Sequence, residues 1–299
     1  MKKLTALLLT LAMALSLAAC GAKEEAPVEE EQKEEAPVEE VQAEGKAPGW
    51  WKEELTTIED GKLLMATSPD FAPFEFYALD ENGEPQLAGF DIALGHYIAD
   101  YLGLELDVIP MNFDGTIMEI GQKNVDIAMA GYSPNEKRAS QMDFSDVYLK
   151  GSQCIMTTKD KADQFPELES ANNPEVQVGA QVGAIQADFA KEFTPDADIL
   201  EMAKVTDLVA ELLTGKLDVL YMSTMSAEAY QSQYPDLVIT ADVPYDAKGN
   251  VVGVSKGNEA LLAGVNEAVA AALADGSMDQ FVLEAIELSS GNIIEGLVE

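Results

Sequence analysis

Residues 125–138 read VDIAMAGYSPNEKR, and this stretch decides the class of fold. VDIAMAG has the pattern of a short buried strand, and SPNE at 133–136 has the form of a capping box with proline at the first helical position. We therefore expect a helix over residues 134–142, directly after the strand and its glycine turn. This order is typical of the βα units of a parallel sheet that is covered by helices on both faces.

Short apolar runs and helical patterns alternate on the N-terminal side of this stretch as well. KLLMAT at 62–67 and LELDVIPM at 104–111 predict strands. Between them, GFDIALGHYIADYLG at 89–103 has apolar residues at helical spacing, and Gly103 closes the predicted helix. The sequence therefore predicts one complete α/β unit before residue 150.

A second unit of the same kind begins near residues 151–153. It contains two strand patterns and two helical patterns, at 176–181, 217–222, 184–193 and 206–215. The chain then returns to the first unit through a long helical pattern that ends near Gly276. We expect an α/β protein of two Rossmann-like lobes that face each other across a cleft and are joined by a two-stranded hinge. The expected boundaries are 53–152 and 246–299 for lobe 1 and 153–245 for lobe 2.

The N-terminus has the pattern of a bacterial lipoprotein signal. Two lysines follow the first methionine, and the apolar run at 4–18 is too short for an ordinary membrane span. Cys20 stands directly after small residues, as in the bacterial lipobox, where this cysteine is lipidated and becomes the new N-terminus. We expect a signal peptide at 1–19 and a lipid anchor at Cys20. The alternative is a plain signal peptide that is cut near Ala19.

Residues 20–52 have the composition of a disordered acidic tether. The octapeptide KEEAPVEE occurs at 23–30 and again at 33–40, and residues 21–47 contain ten acidic residues against three lysines. Almost nothing large and apolar is present to be buried, and charge repulsion and proline favour an extended chain. Such a tether would hold the lobes some tens of ångströms from the membrane.

The charge balance excludes several classes of partner. The chain has 54 acidic and 18 basic residues, for a net charge of −36. The negative electrostatic field of such a chain repels nucleic acid and anionic membrane surfaces and disfavours a polyanionic substrate. Cys154 is the only cysteine besides Cys20, and we expect it to be a buried thiol, with no disulfide and no cysteine metal cluster. We expect neither a cofactor nor a metal site.

Arg138 is the only arginine in the chain, since the other 17 basic residues are lysines. It lies one turn into the predicted helix, where its side chain leans back toward the N-terminus and the glycine turn. That point favours an anion, and a guanidinium can hold a carboxylate with two parallel hydrogen bonds, which lysine cannot do. The alternative is a salt bridge to a surface acid such as Asp143, with Ser133 serving only as a cap.

The second lobe offers a matching turn after the strand at 176–181. Gly183 would let a ligand approach the backbone N–H groups of Ala184 and Ile185 at the start of the next helix. Facing the first turn across a cleft, this turn would form the other jaw of a carboxylate clamp.

Four motifs in order resemble the polar amino-acid family of bacterial extracellular solute-binding proteins, which serve ABC importers. They are APFEF (72–76), GFD (89–91), the strand, turn and helix at 126–138, and MDFSDVY (142–148). The likeness runs from about residue 61 to about residue 281. It implies the type II fold of the periplasmic binding proteins, a small-molecule ligand and an ABC permease as membrane partner, and we expect a monomer.

The resemblance also implies which residues hold the ligand. Its α-carboxylate would be held from both turns, by Arg138, Ser133 and the backbone amides of Ala184 and Ile185. Its amine would face Ala130 and the backbone of Gly131. Two aromatic rings, those of Phe71 and Phe113, would flank its side chain, although ordinary core packing is the alternative for both.

Two positions depart from the family pattern. Ser223 stands where the family usually has an aspartate that pairs with the α-ammonium, and Ser68 stands where binders of basic side chains often have an acid. An unpaired buried charge is costly, so these changes disfavour lysine, arginine and histidine as ligands. Together with Gln181 and Met222 they predict a neutral polar and apolar pocket. A register shift that brings another acid into the cleft stays an alternative, through Asp70 or Glu228.

The resulting hypothesis is a lipid-anchored extracytoplasmic receptor that closes two lobes around an amino acid or a related small carboxylate and then docks on a permease. A dehydratase or other lyase on the same scaffold is one alternative, which the lone His96 in a helix with no partner motif disfavours. A sensor that acts through a partner protein is another, because a one-chain receptor would need a transmembrane helix and a signalling module after residue 281.

Overall fold

The computed structural model describes residues 46–80, 82–246, 248–290 and 293, which belong to one compact unit. Its α-helices are α1 (Trp51–Glu54), α2 (Phe90–Leu102), α3 (Phe113–Gly121), α4 (Glu136–Ala139), α5 (Leu168–Ala171), α6 (Ile185–Phe193), α7 (Val205–Leu213), α8 (Thr224–Gln233), α9 (Glu259–Asp275) and α10 (Ser277–Ser289). Its strands are β1 (Lys62–Thr67), β2 (Asp70–Phe71), β3 (Glu75–Leu79), β4 (Pro85–Ala88), β5 (Glu105–Pro110), β6 (Ile127–Ala128), β7 (Met142–Phe144), β8 (Gln153–Thr158), β9 (Gln177–Gln181), β10 (Asp198–Met202), β11 (Val219–Ser223), β12 (Leu237–Val243) and β13 (Gly253–Ser255). A short 3-10 helix lies at Ala162–Gln164.

Two five-stranded sheets form the centres of two lobes, as the alternating pattern predicts. The strand order is β5-β1-β6-β13-β7 in lobe 1 and β10-β9-β11-β8-β12 in lobe 2. The predicted parallel arrangement is present in β5-β1-β6 and in β10-β9-β11, but each sheet is mixed. The antiparallel strands β13 and β8 are the first strands after each crossing between the lobes, so they enter the sheets from the opposite direction.

A third, three-stranded sheet, β2-β3-β4, was not predicted from the sequence. Its strands have two to five residues, too few to show a periodic pattern. It begins directly after β1, at the carboxyl edge of the lobe 1 sheet. The backbone N–H groups of Phe90 and Asp91, at the start of α2, donate to carbonyls of the chain between β2 and β3, at Pro73 and Phe74.

The two crossings between the lobes pair with each other, which confirms the two-stranded hinge. Leu149 and Asn250 form an antiparallel bridge. The Tyr148 N–H donates to the Asn250 carbonyl at 3.0 Å, and the Asn250 N–H donates to the Leu149 carbonyl at 2.6 Å. The hinge therefore lies next to the carboxyl ends of the central strands, where the two lobes meet.

The core of lobe 1 includes a residue that the sequence assigned to the tether. Trp51 is 1% exposed and packs in the cluster that contains α2 and α9 residues, such as Leu102 and Val265. Two successive tryptophans in a polar stretch have enough apolar area to dock on the lobe, which the acidic composition of the neighbouring residues concealed. The predicted signal peptide, Cys20 and the tether as far as residue 45 lie outside the described residues. Within the described ranges, no helix is both long and apolar enough to cross a bilayer.

Truncating Trp51 should therefore destabilise lobe 1 rather than leave it unchanged. We expect Trp51→Ala to lower the free energy of unfolding by about 3–5 kcal/mol, as for other buried aromatic side chains. Urea denaturation measures the difference. Glu53→Ala, in the same short helix but exposed, is the matched control, and equal stability of the two variants would contradict the packed position of Trp51.

Candidate ligand-binding site

A cavity lies between the lobes and is lined by residues of both lobes and of the hinge. Ten of the twelve sequence-predicted binding residues line it: Phe71, Phe113, Ala130, Gly131, Ser133, Arg138, Gln181, Ala184, Ile185 and Ser223. Met222 lines a second, smaller cavity that shares Phe71, Gln181 and Gln186 with the first. Ser68 lines neither cavity; it is buried and donates a hydrogen bond to Asp70.

The guanidinium of Arg138 lines the first cavity and contacts both lobes. Its Nη1 donates to the Ser133 carbonyl at 2.8 Å, and its Nη2 donates to the Gly183 carbonyl of lobe 2 at 3.2 Å. The rings of Phe113 and Tyr132 each lie 5.3 Å from its central carbon, within cation–π range. Arg138 is thus held in place, and two of its five N–H donors are occupied by these carbonyl contacts.

The turn that carries Arg138 differs from the predicted capping box. The helix is only α4, Glu136–Ala139, and its N-cap is Asn135 rather than Ser133; the Asn135 side chain accepts from the Arg138 N–H at 2.8 Å. Proline disfavours helical geometry in the residue before it, so Ser133 stays in the turn. The helix ends early because Met142–Phe144 pairs with β13. Ser133 is therefore a lining residue of the cavity whose carbonyl orients Arg138.

The salt-bridge alternative for Arg138 does not hold in the structure. Asp143 instead binds Lys256, at 3.1 Å, and the Gly257 N–H, at 2.7 Å. No carboxylate of the described residues lies within ion-pair distance of Arg138, although the side chain is only 4% exposed. Burial lowers the pKa of Arg138, while Tyr132, Tyr245 and Asp188 oppose this shift. The cleft therefore holds a buried cation without a protein counter-ion in the described part of the chain.

Gly131 closes the other side of the cavity through its backbone. Its φ is 58°, and a Cβ at this position would lie 3.0 Å from the Phe71 ring, so a side chain would be strained and crowded. The Gly131 N–H donates to Asp91, and its carbonyl accepts from Asn250 at 2.8 Å. The sequence predicted that this backbone faces a ligand amine, but one lone pair of the carbonyl is already used by the hinge.

The lobe 2 turn presents fewer free N–H groups than the sequence predicted. Gly183 has a φ of 76° and directs its carbonyl to Arg138. The Ala184 N–H donates to the Gln181 carbonyl at 3.2 Å, so it is not available to a ligand in this conformation. Ile185 is the first residue of α6, and N–H groups at that position have no acceptor within the helix. Ile185 is thus the better placed of the two predicted amides.

Seven further lining residues were missed by the sequence reasoning: Phe74, Gly151, Gln153, Gln186, Tyr245, Gly249 and Asn250. Four of them, Gly151, Tyr245, Gly249 and Asn250, lie on or beside the two crossings. The predicted hinge was the signal that could have found this group, because a hinge between two lobes lies at the floor of their cleft. Phe74 is stacked on Phe71 at 5.0 Å.

The two alternative acids do not line the cavity. Asp70 is 4% exposed and lies behind Gln181, whose Nε2 donates to it at 3.0 Å. Glu228 is exposed on α8. The lining of both cavities contains no carboxylate, and no group of metal-ligating side chains is present among the residues that the structure describes.

Two buried acids, Asp91 and Glu75, lie beside the turn that contains Gly131. Asp91 accepts from the Gly131 N–H at 3.0 Å and from the Tyr148 hydroxyl at 2.7 Å, and burial raises its pKa to about 6. Glu75 is fully buried, and neither of its oxygens accepts a hydrogen bond from a described group. Burial and the adjacent Asp91 raise the pKa of Glu75 well above its ordinary value. Asp91 therefore carries the hydrogen bonds that hold the turn and the hinge, and Glu75 lies buried near it with a strongly raised pKa.

This arrangement predicts that the free energy of unfolding falls as the pH rises. The raised pKa of Glu75 means that its stabilising contribution is present when it is protonated and is lost as the pH rises through that pKa. Glu75→Gln keeps the size of the side chain and removes its titrating group. Between about pH 5 and about pH 8, we expect wild type to lose at least about 1 kcal/mol more unfolding free energy than Glu75→Gln.

Urea denaturation at both pH values measures this difference, and Glu192→Gln, on the exposed face of α6, is the control. A Glu75→Gln slope equal to that of wild type would show that Glu75 stays ionised in the folded protein.

Comparison with known proteins agrees with this geometry. Residues 63–284 match the model of the bacterial extracellular solute-binding proteins, family 3. The chain is 30% identical over 203 residues to the arginine-binding extracellular protein ArtP of Bacillus subtilis, covering 66% of this chain and 76% of that protein. It is also 28% identical over 190 residues to a cyclohexadienyl dehydratase of Pseudomonas aeruginosa, covering 63% of this chain and 69% of that protein.

A solved structure of similar fold is that of the amino acid ABC transporter substrate-binding protein AbpA from Streptococcus pneumoniae bound to L-arginine. It has a TM-score of 0.74 and 28% sequence identity, covering 77% of this chain and 96% of the other. Two mixed sheets, a two-stranded hinge and a cleft with a buried cation thus agree with the family match, and the chain belongs to the bacterial extracellular solute-binding proteins, family 3.

Proposed function

We propose that this protein is the extracytoplasmic substrate-binding component of an ABC importer, and that it binds an amino acid or a related small carboxylate in its cleft. Family membership supports the location and the transport role, and an arginine complex of a similar structure supports the class of ligand. The closed form would dock on a membrane permease. Closure gains free energy only from ligand contacts that both lobes make, which a cleft lined from both sides allows.

The observation that carries this proposal is the uncompensated charge of Arg138. A buried cation is stabilised by a hydrogen-bonded anion, and a planar guanidinium is best matched by a carboxylate. The carbonyls of Ser133 and Gly183 accept hydrogen bonds from two of its N–H groups. The remaining N–H groups of the guanidinium are left for a ligand. Since one carbonyl comes from each lobe, a carboxylate bound to Arg138 would lie between the lobes and could stabilise the closed form.

We further propose that the cleft binds its ligand without transforming it, although one relative is a dehydratase. Elimination of water needs a positioned acid or base, and the most frequent one in proteins is histidine. His96 is exposed on α2, outside the cavity lining. The lining of the first cavity, as the structure describes it, contains no histidine, carboxylate, lysine or cysteine.

The carboxylate proposal is tested with Arg138→Lys and Arg138→Gln in a screen of L-amino acids and small carboxylates. Wild type should gain about 2.7 kcal/mol of stability at a ligand concentration of about 100 Kd. Both variants should lose at least about tenfold in affinity, since lysine cannot form the two parallel hydrogen bonds. Thermal shift and calorimetric titration measure these effects.

Lys123→Gln is the control, because it removes an exposed positive charge of lobe 1 that does not line the cavities. A ligand that binds Arg138→Gln as tightly as wild type would refute the role of Arg138. Stabilisation by sugars or metal ions, with no response to any carboxylate, would refute the proposed ligand class.

We also propose that Cys20 carries a lipid that anchors the protein to the outer face of the bacterial cell membrane. The support is the sequence pattern around Cys20, which lies outside the described residues. In a bacterial host, Cys20→Ser should leave the membrane fraction and fail to incorporate a labelled fatty acid. Cys154→Ser is the control, because Cys154 is fully buried in lobe 2. Label retained in Cys20→Ser would contradict the anchor.

A further inference from the structure

Gln181 separates a buried carboxylate from the cleft. Its side chain is 6% exposed and lines both cavities. The Nε2 donates to Asp70 Oδ2 at 3.0 Å and to the Ala203 carbonyl at 3.1 Å. A carbonyl oxygen and an ionised carboxylate can only accept hydrogen bonds. The amide nitrogen of Gln181, which is the donor, must therefore face these two partners. The oxygen, Oε1, is then the atom that Gln181 offers to the cleft.

Asp70 is held behind Gln181 by groups of both lobes. It belongs to β2 of the small sheet, and its carboxylate accepts from the Ser68 hydroxyl at 2.8 Å. From lobe 2 it accepts the Gln181 amide and the Val205 N–H, the latter at 2.6 Å at the start of α7. Asp70 lines neither cavity, so only one side chain lies between a carboxylate and the ligand space.

The far end of that space is uncharged. The second cavity continues from the first past Phe71, Gln181 and Gln186, and its remaining lining residues are Val205, Leu208, Leu220, Tyr221 and Met222. A ligand whose carboxylate binds Arg138 would extend past Gln181 toward these side chains. A cationic group there would meet the Oε1 dipole but no full negative charge, and leaving a charge unpaired in such a site is costly.

We propose that Gln181 sets the charge selectivity of the cleft by covering Asp70. With Gln181 in place, the cleft accepts a carboxylate ligand whose side chain is uncharged. Without it, Asp70 becomes the counter-ion of a cationic side chain. This inference rests on the proposed function, because it needs a ligand that is anchored at Arg138.

This inference predicts a ligand preference that differs from that of similar proteins, because one relative described above is named for arginine and one similar structure holds it. L-arginine and L-citrulline are the matched probes, since they have the same length and shape and differ in a guanidinium against a neutral ureido group. Wild type should bind citrulline more tightly than arginine. Gln181→Ala should shift the preference toward arginine by at least about tenfold, through a charge-assisted pair with Asp70.

The double variant Gln181→Ala with Asp70→Asn distinguishes the effect of the Asp70 charge from the effect of the added volume. It enlarges the cavity as Gln181→Ala does but removes the carboxylate, so the gain in arginine affinity should disappear. Gln186→Ala is the matched control, because Gln186 also lines both cavities but donates to Gln153 instead of Asp70. Gln181→Ser gives a second way to uncover Asp70, and unfolding curves of each variant show that it is folded.

A pH profile distinguishes this role from simple packing. Burial raises the pKa of Asp70 to about 6, with Lys204 lowering it. The other titratable groups near Asp70 are Glu75 of β3, whose pKa burial raises well above its ordinary value, and Tyr230 of α8, whose hydroxyl donates to the Asp70 carbonyl. The arginine affinity of Gln181→Ala should therefore fall at acidic pH, as Asp70 becomes protonated, while its citrulline affinity stays nearly constant.

Each result of the calorimetric titrations decides the inference. A wild type that prefers arginine overturns it, as does a Gln181→Ala preference that equals that of wild type or survives Asp70→Asn. If neutral ligands bind wild type through Arg138 but the preference does not move, only the role of Gln181 fails. If no carboxylate binds in an Arg138-dependent way, the proposed function fails with it.

Discussion

The buried guanidinium of Arg138 is the constraint around which the cleft is built. A cation at 4% exposure needs acceptors, and the structure supplies one carbonyl from each lobe and two aromatic faces. These contacts require the Asn135 cap, which sets the position of the Arg138 backbone, and the lobe 2 turn at Gly183. The charge that they leave uncompensated makes the interface between the lobes a place for an anion.

The acids of lobe 1 show the opposite organisation. In a chain with a net charge of −36, none of the three buried acids Asp70, Glu75 and Asp91 lines the cavities. Asp91 accepts from the Gly131 N–H and the hydroxyl of the hinge residue Tyr148, and Asp70 is covered by Gln181. Burial and Asp91 raise the pKa of Glu75 well above its ordinary value. The lining of the two cavities therefore contains the cation of Arg138 and no carboxylate, although the protein as a whole is strongly acidic.

Sequence reasoning succeeded where a pattern is long and failed where a contact is local. The helices α2 and α9 and the strands β1 and β9 were predicted from periodicity, because burial of one face enforces it over many residues. The four-residue helix α4 and the small sheet β2-β3-β4 are too short for this. At α4 the Asn135 side chain took the cap from Ser133, and at the N-terminal edge Trp51 docked on lobe 1 within an acidic stretch.

The sequence by itself determined the class of fold, the two units and the choice of Arg138, since strand and helix periods and a single guanidinium are visible in the order of residues. Only the tertiary structure decided which groups remain available to a ligand. The backbone N–H groups of Ala184 and Gly131 donate to protein acceptors and are therefore not free for a ligand, and Asp143 pairs with Lys256 instead of Arg138. Asp70 came within one side chain of the cleft because β2 of lobe 1 meets α7 of lobe 2 there. Those outcomes depend on contacts between residues far apart in the chain, which no local pattern records.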